Sequence, residues 1–76
     1  MTVAVLDARG LLCPLPVLKV RKRLGPLAPG AVLEMLADDP AAIVDVPHFC
    51  AEAGHELLSA TPRDAGATLY RIRKGG

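Results

Sequence analysis

The chain has 76 residues, a net charge of +1 and a hydrophobic share of 51%, with Phe49 and Tyr70 as its only aromatic side chains. So small a charge supplies no field for nucleic acid or an anionic membrane, and so few aromatics leave no platform for stacking bases. One domain spanning residues 1–76 is expected, with a core of Leu, Val, Ile, Met and Ala and little surface to spare from packing.

Val3 to Leu6 is a short apolar run rich in β-branched residues, closed by Asp7 and Gly10, and reads as a buried strand. From Pro14 onward Val17, Val20 and Leu24 recur at helical spacing while Lys19, Lys22 and Arg23 share another face. The spacing predicts an amphipathic helix ended by Gly25-Pro26. After the Pro29-Gly30 turn, Ala31 to Ala37 reads as a second strand with Glu34 as its only charge.

Asp38-Asp39-Pro40 opens a second helix, with an aspartate cap ahead of a proline at the first helical position. Pro47 removes a backbone donor, so a break is expected between a short turn at Ala41 to Asp45 and a piece whose apolar face is Val46, Phe49, Cys50 and Ala53. Gly54 closes that piece. Glu56 to Thr61 and Thr68 to Lys74 then read as strands joined by the turn at Pro62 to Gly66. The order β-α-β-α-β-β implies an α+β fold, a two-layer α/β sandwich with both helices on one face of a four-stranded mixed sheet.

Two cysteines, Cys13 and Cys50, are too far apart for a CxxC unit and too few for a disulfide framework, which points to a reducing compartment. The segment Met1 to Asp7 has no basic stretch and its apolar run stops at Asp7, so neither a signal peptide nor a membrane span is expected there. Cytoplasmic placement follows, with proteins or small molecules as partners.

Cys13 carries the most chemistry. At the N-cap of the first helix its sulfur meets unpaired N–H groups and the positive end of the helix dipole, which draw a thiol modestly below its ordinary pKa. Pro14 and Pro16 take away two of those donors, at the first and third helical positions, but fix the entry angle and keep Cys13 out of helical geometry. Arg9 adds positive charge nearby. The motif thus offers a stiff, projecting sulfur, against the alternative that Cys13 is a small buried hydrophobe. For Cys50, beside Phe49, the buried reading prevails.

Other arrangements carry less support. His48 and His55 with the two cysteines lack the short spacing of a metal knuckle, so no metal is expected. A Cys13–His55 nucleophile and base pair has no sequence signature. Lys19, Arg21, Lys22 and Arg23 form a solvated helix face that complements the dipole, or a patch for an acidic partner. The tail Arg73-Lys74-Gly75-Gly76 resembles that of ubiquitin-like sulfur carriers, whose fold begins with a β-hairpin instead of the strand and helix expected here.

Taken together, Leu6-Asp7-Ala8-Arg9-Gly10-Leu11-Leu12-Cys13-Pro14-Leu15-Pro16, a strand end running into Cys-Pro-x-Pro, resembles the TusA/SirA family of small sulfur-carrier proteins. Ala37-Asp38-Asp39-Pro40-Ala41, Asp45-Val46-Pro47-His48-Phe49-Cys50, His55-Glu56-Leu57 and Tyr70-Arg71-Ile72-Arg73-Lys74-Gly75-Gly76 extend the resemblance over nearly the whole chain. It implies that Cys13 carries persulfide sulfur, taken from a cysteine desulfurase and passed to a DsrE-like acceptor, for tRNA 2-thiouridine, molybdenum-cofactor synthesis or sulfur oxidation. No metal or organic cofactor is implied. Leu15 stands where several relatives carry an acidic residue, and His48 where glycine is common. The competing class is a non-catalytic interaction module in which Cys13 only packs.

Overall fold

A computed structural model describes residues 3–76; Met1 and Thr2, the start of the segment in which neither a leader nor a membrane span is expected, lie outside the described residues. The elements are β1 (Val3–Asp7), α1 (Leu15–Leu24), β2 (Val32–Ala37), α2 (Ala42–Ala53), β3 (Glu56–Pro62) and β4 (Thr68–Arg73), with a short 3-10 turn at Asp64–Gly66. The sheet order is β1-β2-β4-β3. β1 runs parallel to β2, and β4 is antiparallel to both β2 and β3, so only β4 is reversed. Two successive crossovers stepping the same way across a sheet, each with the usual right hand, lay both helices on one face. That is the two-layer α+β sandwich expected from the element order.

The core lies between the helices and that face. Leu33 and Met35 of β2 and Tyr70 and Ile72 of β4 meet Val20 and Leu24 of α1 and Val46, Phe49 and Cys50 of α2. All are at most 5% exposed. Sealing a side chain of this kind contributes roughly 1.5–3 kcal/mol, so most of the stability resides in this layer. The period of two along β2 and the helical period of α1 are therefore what fix the fold.

Three sequence expectations change. β1 is an edge strand, not a buried one: Val3 and Val5 are 44% and 61% exposed, because the second sheet face carries no layer. α2 is continuous through Pro47. The proline removes one helical bond, but Val46, Phe49 and Cys50 on either side of it are anchored in the core, and tertiary packing outweighs local propensity. Ala53, placed by periodicity on that buried face, is exposed in the last turn.

The helix ends follow local chemistry. Gly54 adopts φ 79°, a left-handed conformation that glycine takes without a Cβ penalty, and His55 N–H then donates to the Cys50 carbonyl at 2.9 Å. Both sheet edges are also marked. An Arg23 guanidinium N–H from α1 donates to the Val5 carbonyl of β1 at 3.1 Å, and β3 carries a register shift between Leu57 and Ser59.

Candidate functional site

Parallel pairing of β1 with β2 carries the loops after both strands to the same end of the sheet. Residues 8–14 therefore lie beside residues 38–41, and sequence-distant groups meet. Ala8 N–H extends the β1 ladder to the Leu36 carbonyl at 2.8 Å, after which Gly10 turns the chain at φ 82°. Gly10 N–H donates to Asp38 Oδ1 at 2.9 Å, and Cys13 N–H donates to Asp39 Oδ2. Asp39 Oδ1 also accepts from Ala41 N–H at 3.2 Å, so one carboxylate ties the thiol loop to the entrance of α2.

This arrangement displaces Cys13 from its expected place. α1 begins at Leu15 with Pro14 as the N-cap, so Cys13 lies one residue outside and Pro16 falls at the second helical position. The Cys13–Pro14 peptide is cis. Leu15 N–H, the first donor of the helix, is taken by the Leu12 carbonyl at 2.9 Å.

The sulfur turns instead toward α2. Cys13 is exposed, and its S–H donates to Asp45 Oδ2 at 2.8 Å. The thiol is consequently raised above its ordinary pKa, chiefly by that hydrogen bond, with partial desolvation and the negative charges of Asp45 and Asp39 adding to it. The modest lowering expected from the helix dipole is overturned: Leu15 N–H is engaged elsewhere, and carboxylates are the nearer charges.

Arg9 is held by Asp7, with Nε to Oδ1 at 2.9 Å and a terminal nitrogen to Oδ2 at 2.8 Å. It lines the hollow on the open sheet face together with Val5 and Glu34. The pair holds the Asp7 carboxyl down at about 2, through the Arg9 side-chain and backbone hydrogen bonds.

Cys13 and Asp45 open onto a groove of about 240 Å³ between the helices, whose walls include Val17, Arg21, His48 and Glu52. His48 Nε2 is 2.9 Å from Glu52 Oε1 one turn along α2. Arg21 lies over the Phe49 ring at 5.4 Å, which gives one member of the basic run a packing partner. Cys50 is buried among apolar side chains and burial pushes its thiol up, as its sequence neighbourhood indicated. His55 sits at the far end of α2, where its ring neighbours Phe49 and its Nδ1 accepts from Gly75 N–H at 3.0 Å. Among the described residues no three His, Cys, Asp or Glu side chains cluster as a metal site would require.

Asp39 and Asp45 are the residues at the thiol that the sequence reading did not assign to it. A usable signal was present, because two parallel βα units always bring the loops after their strands together, so acidic residues following β2 must flank a loop following β1.

Comparison with known proteins bears on the chain as a whole. The family model described as Sulfurtransferase TusA matches residues 4–74. A sulfur carrier protein TusA of Pseudomonas aeruginosa is 46% identical over 71 residues, covering 93% of this chain and 89% of the relative. Its counterpart in Pseudomonas entomophila is 49% identical, covering 93% and 88%. The crystal structure of a SirA-like protein from Desulfitobacterium hafniense superposes with a TM-score of 0.84 at 25% identity, over 99% of this chain and 100% of that one. With the fold, the Cys-Pro-x-Pro loop and near full-length similarity in agreement, the chain belongs to the TusA family of sulfur carriers.

Proposed function

We propose that Cys13 is the atom that carries sulfur, accepting it from the persulfide of a cysteine desulfurase and relaying it to a DsrE-like acceptor protein for tRNA 2-thiouridine formation in the cytoplasm. The observation that supports this reading best is the placement of Cys13: exposed, on a loop tied down at Gly10 and Cys13 itself, at the mouth of a groove. Among the described residues the other thiol is sealed in the core.

The step is thiol–persulfide exchange. Cys13 Sγ attacks the outer sulfur of the donor persulfide, an S–S bond forms there, the donor's own S–S bond breaks, and the Cys13 proton ends on the departing donor sulfur. Cys13 becomes a persulfide and the donor a thiol, with no net oxidation. Delivery repeats the exchange with the acceptor cysteine as nucleophile. In this reading Pro14 and Pro16 fix the exit of the loop into α1, and Arg9 fixes its entry from β1 through Asp7. None of these steps calls on a bound metal or organic cofactor.

Incubation with a cysteine desulfurase and free cysteine, followed by peptide mapping by mass spectrometry, tests the reading. One added sulfur is expected on Cys13, none in Cys13→Ser, and undiminished loading in Cys50→Ser. Sulfur on the C-terminal Gly76, or its absence from Cys13, overturns it. The destination is read from 2-thiouridine in tRNA of cells lacking the protein, which distinguishes tRNA modification from molybdenum-cofactor synthesis or sulfur oxidation.

A further inference from the structure

A nucleophilic sulfur is ordinarily surrounded by groups that favour its anion: N–H donors, a lysine, an arginine or a protonated histidine. Cys13 has the opposite surroundings. Asp45 Oδ2 accepts its S–H at 2.8 Å, and Asp39 accepts its backbone N–H from the other side. Facing the same groove are Arg21 from α1 and His48 and Glu52 from α2, of which His48 is engaged with Glu52 and Arg21 with the Phe49 ring. A carboxylate has no proton to donate, so this contact exists only while the sulfur keeps its own. If the sulfur became a thiolate, two negative atoms would stand at hydrogen-bond distance. The resting geometry and the reactive geometry of Cys13 are therefore different states.

We infer that Asp45 is a positioning residue for the transfer, which holds the resting Cys13 sulfur as a thiol turned into the α1–α2 groove and withholds it until a docked partner displaces or neutralises the carboxylate. The inference rests on the carrier role proposed for Cys13. It adds a reason why a carrier exposed to small oxidants and electrophiles keeps its sulfur for proteins: the contact that masks the thiolate is broken by docking, not by collision with a small molecule. The same contact raises the affinity of the thiol for its proton.

The test is the pH dependence of alkylation of the full chain by iodoacetamide, with a short cysteine peptide alongside and the label on Cys13 and Cys50 quantified separately. In the parent protein the Cys13 profile is expected at higher pH than the peptide's. In Asp45→Asn it is expected to move to lower pH, with labelling at pH 7.5 at least about threefold faster, where tenfold would correspond to one pKa unit. Asp45→Ser, which removes the charge with a smaller side chain, is expected to move the profile the same way. Labelling of Cys50 reports opening of the fold, and the parent profile needs no variant at all. A parent profile at or below the peptide's overturns the inference, as does an unchanged profile in either variant with Cys50 still protected. The carrier role fails separately: absence of sulfur from Cys13 after desulfurase treatment sinks that role whatever the alkylation profiles show.

Discussion

Replacing Cys50 by serine separates the structural thiol from the exposed one. Cys50 is 2% exposed in the cluster that includes Val46, Phe49, Tyr70 and Ile72, so the substitution exchanges a soft apolar atom for a hydroxyl that has lost its water. An unsatisfied buried hydroxyl costs about 1–3 kcal/mol, and the carbonyl one helical turn back can accept from a serine, which places the cost near 2 kcal/mol. For a domain of this length each kcal/mol moves Tm by roughly 4–8 °C, giving a fall of about 8–16 °C. Far-UV circular dichroism melts under reducing conditions measure it, with Cys50→Ala as the volume control expected to lie between serine and the parent. A Tm for Cys50→Ser within about 2 °C of the parent would show that the position is open to water and would refute the core assignment. Burial also pushes this thiol up from its ordinary value of 9.0, so the folded protein keeps a proton that the unfolded chain releases. The stability linked to that proton is present below the ordinary value and declines as pH rises through the folded one, and Cys50→Ala is expected to lose that alkaline decline.

Two further expectations bear on the frame of the site. Pro47→Ala restores an N–H donor inside α2 at an exposed position and is expected to stabilise the protein by about 1–2 kcal/mol, read as a higher urea midpoint; a lower midpoint would show that the proline does more than interrupt the ladder. Arg9→Ala removes the partner of Asp7, so the Asp7 carboxyl is expected to titrate near its ordinary 3.8 by NMR instead of about 2. The folded value is depressed, so the associated stability is present above the ordinary value and is lost as pH falls toward about 2. Arg9→Ala should flatten that acid limb, and an Asp7 titration unmoved by the substitution would mean that another group sets it.

Element order and type were legible because apolar runs bounded by Pro, Gly and Asp mark the strands and the helical spacing of Val20 and Leu24 marks α1. Burial of β1 was misjudged for a physical reason. Val3 to Leu6 is apolar throughout, and a sequence run does not say that the layer on one side is missing. Pro47 misled because propensity is local, whereas Phe49 and Cys50 are held by contacts with other elements. The exposure of Cys13 follows from its motif, but the helix-dipole argument gives its thiol the opposite direction from the one its carboxylate neighbours impose. Its strongest neighbour, Asp45, is 32 positions away, and only the parallel pairing of β1 and β2 brings the two together.

The guanidinium of Arg23 on the Val5 carbonyl has a consequence beyond its own bond. An open sheet ends in strands whose unpaired backbone groups invite another chain to add on. Here the β1 edge carries an arginine over one of its carbonyls, while the β3 edge is bent by its register shift and finishes in Pro62, which has no N–H to offer. Both margins thus discourage self-templated strand addition. A protein that exchanges partners in turn needs surfaces that let go, and these blunted borders keep the sheet from becoming a permanent attachment point.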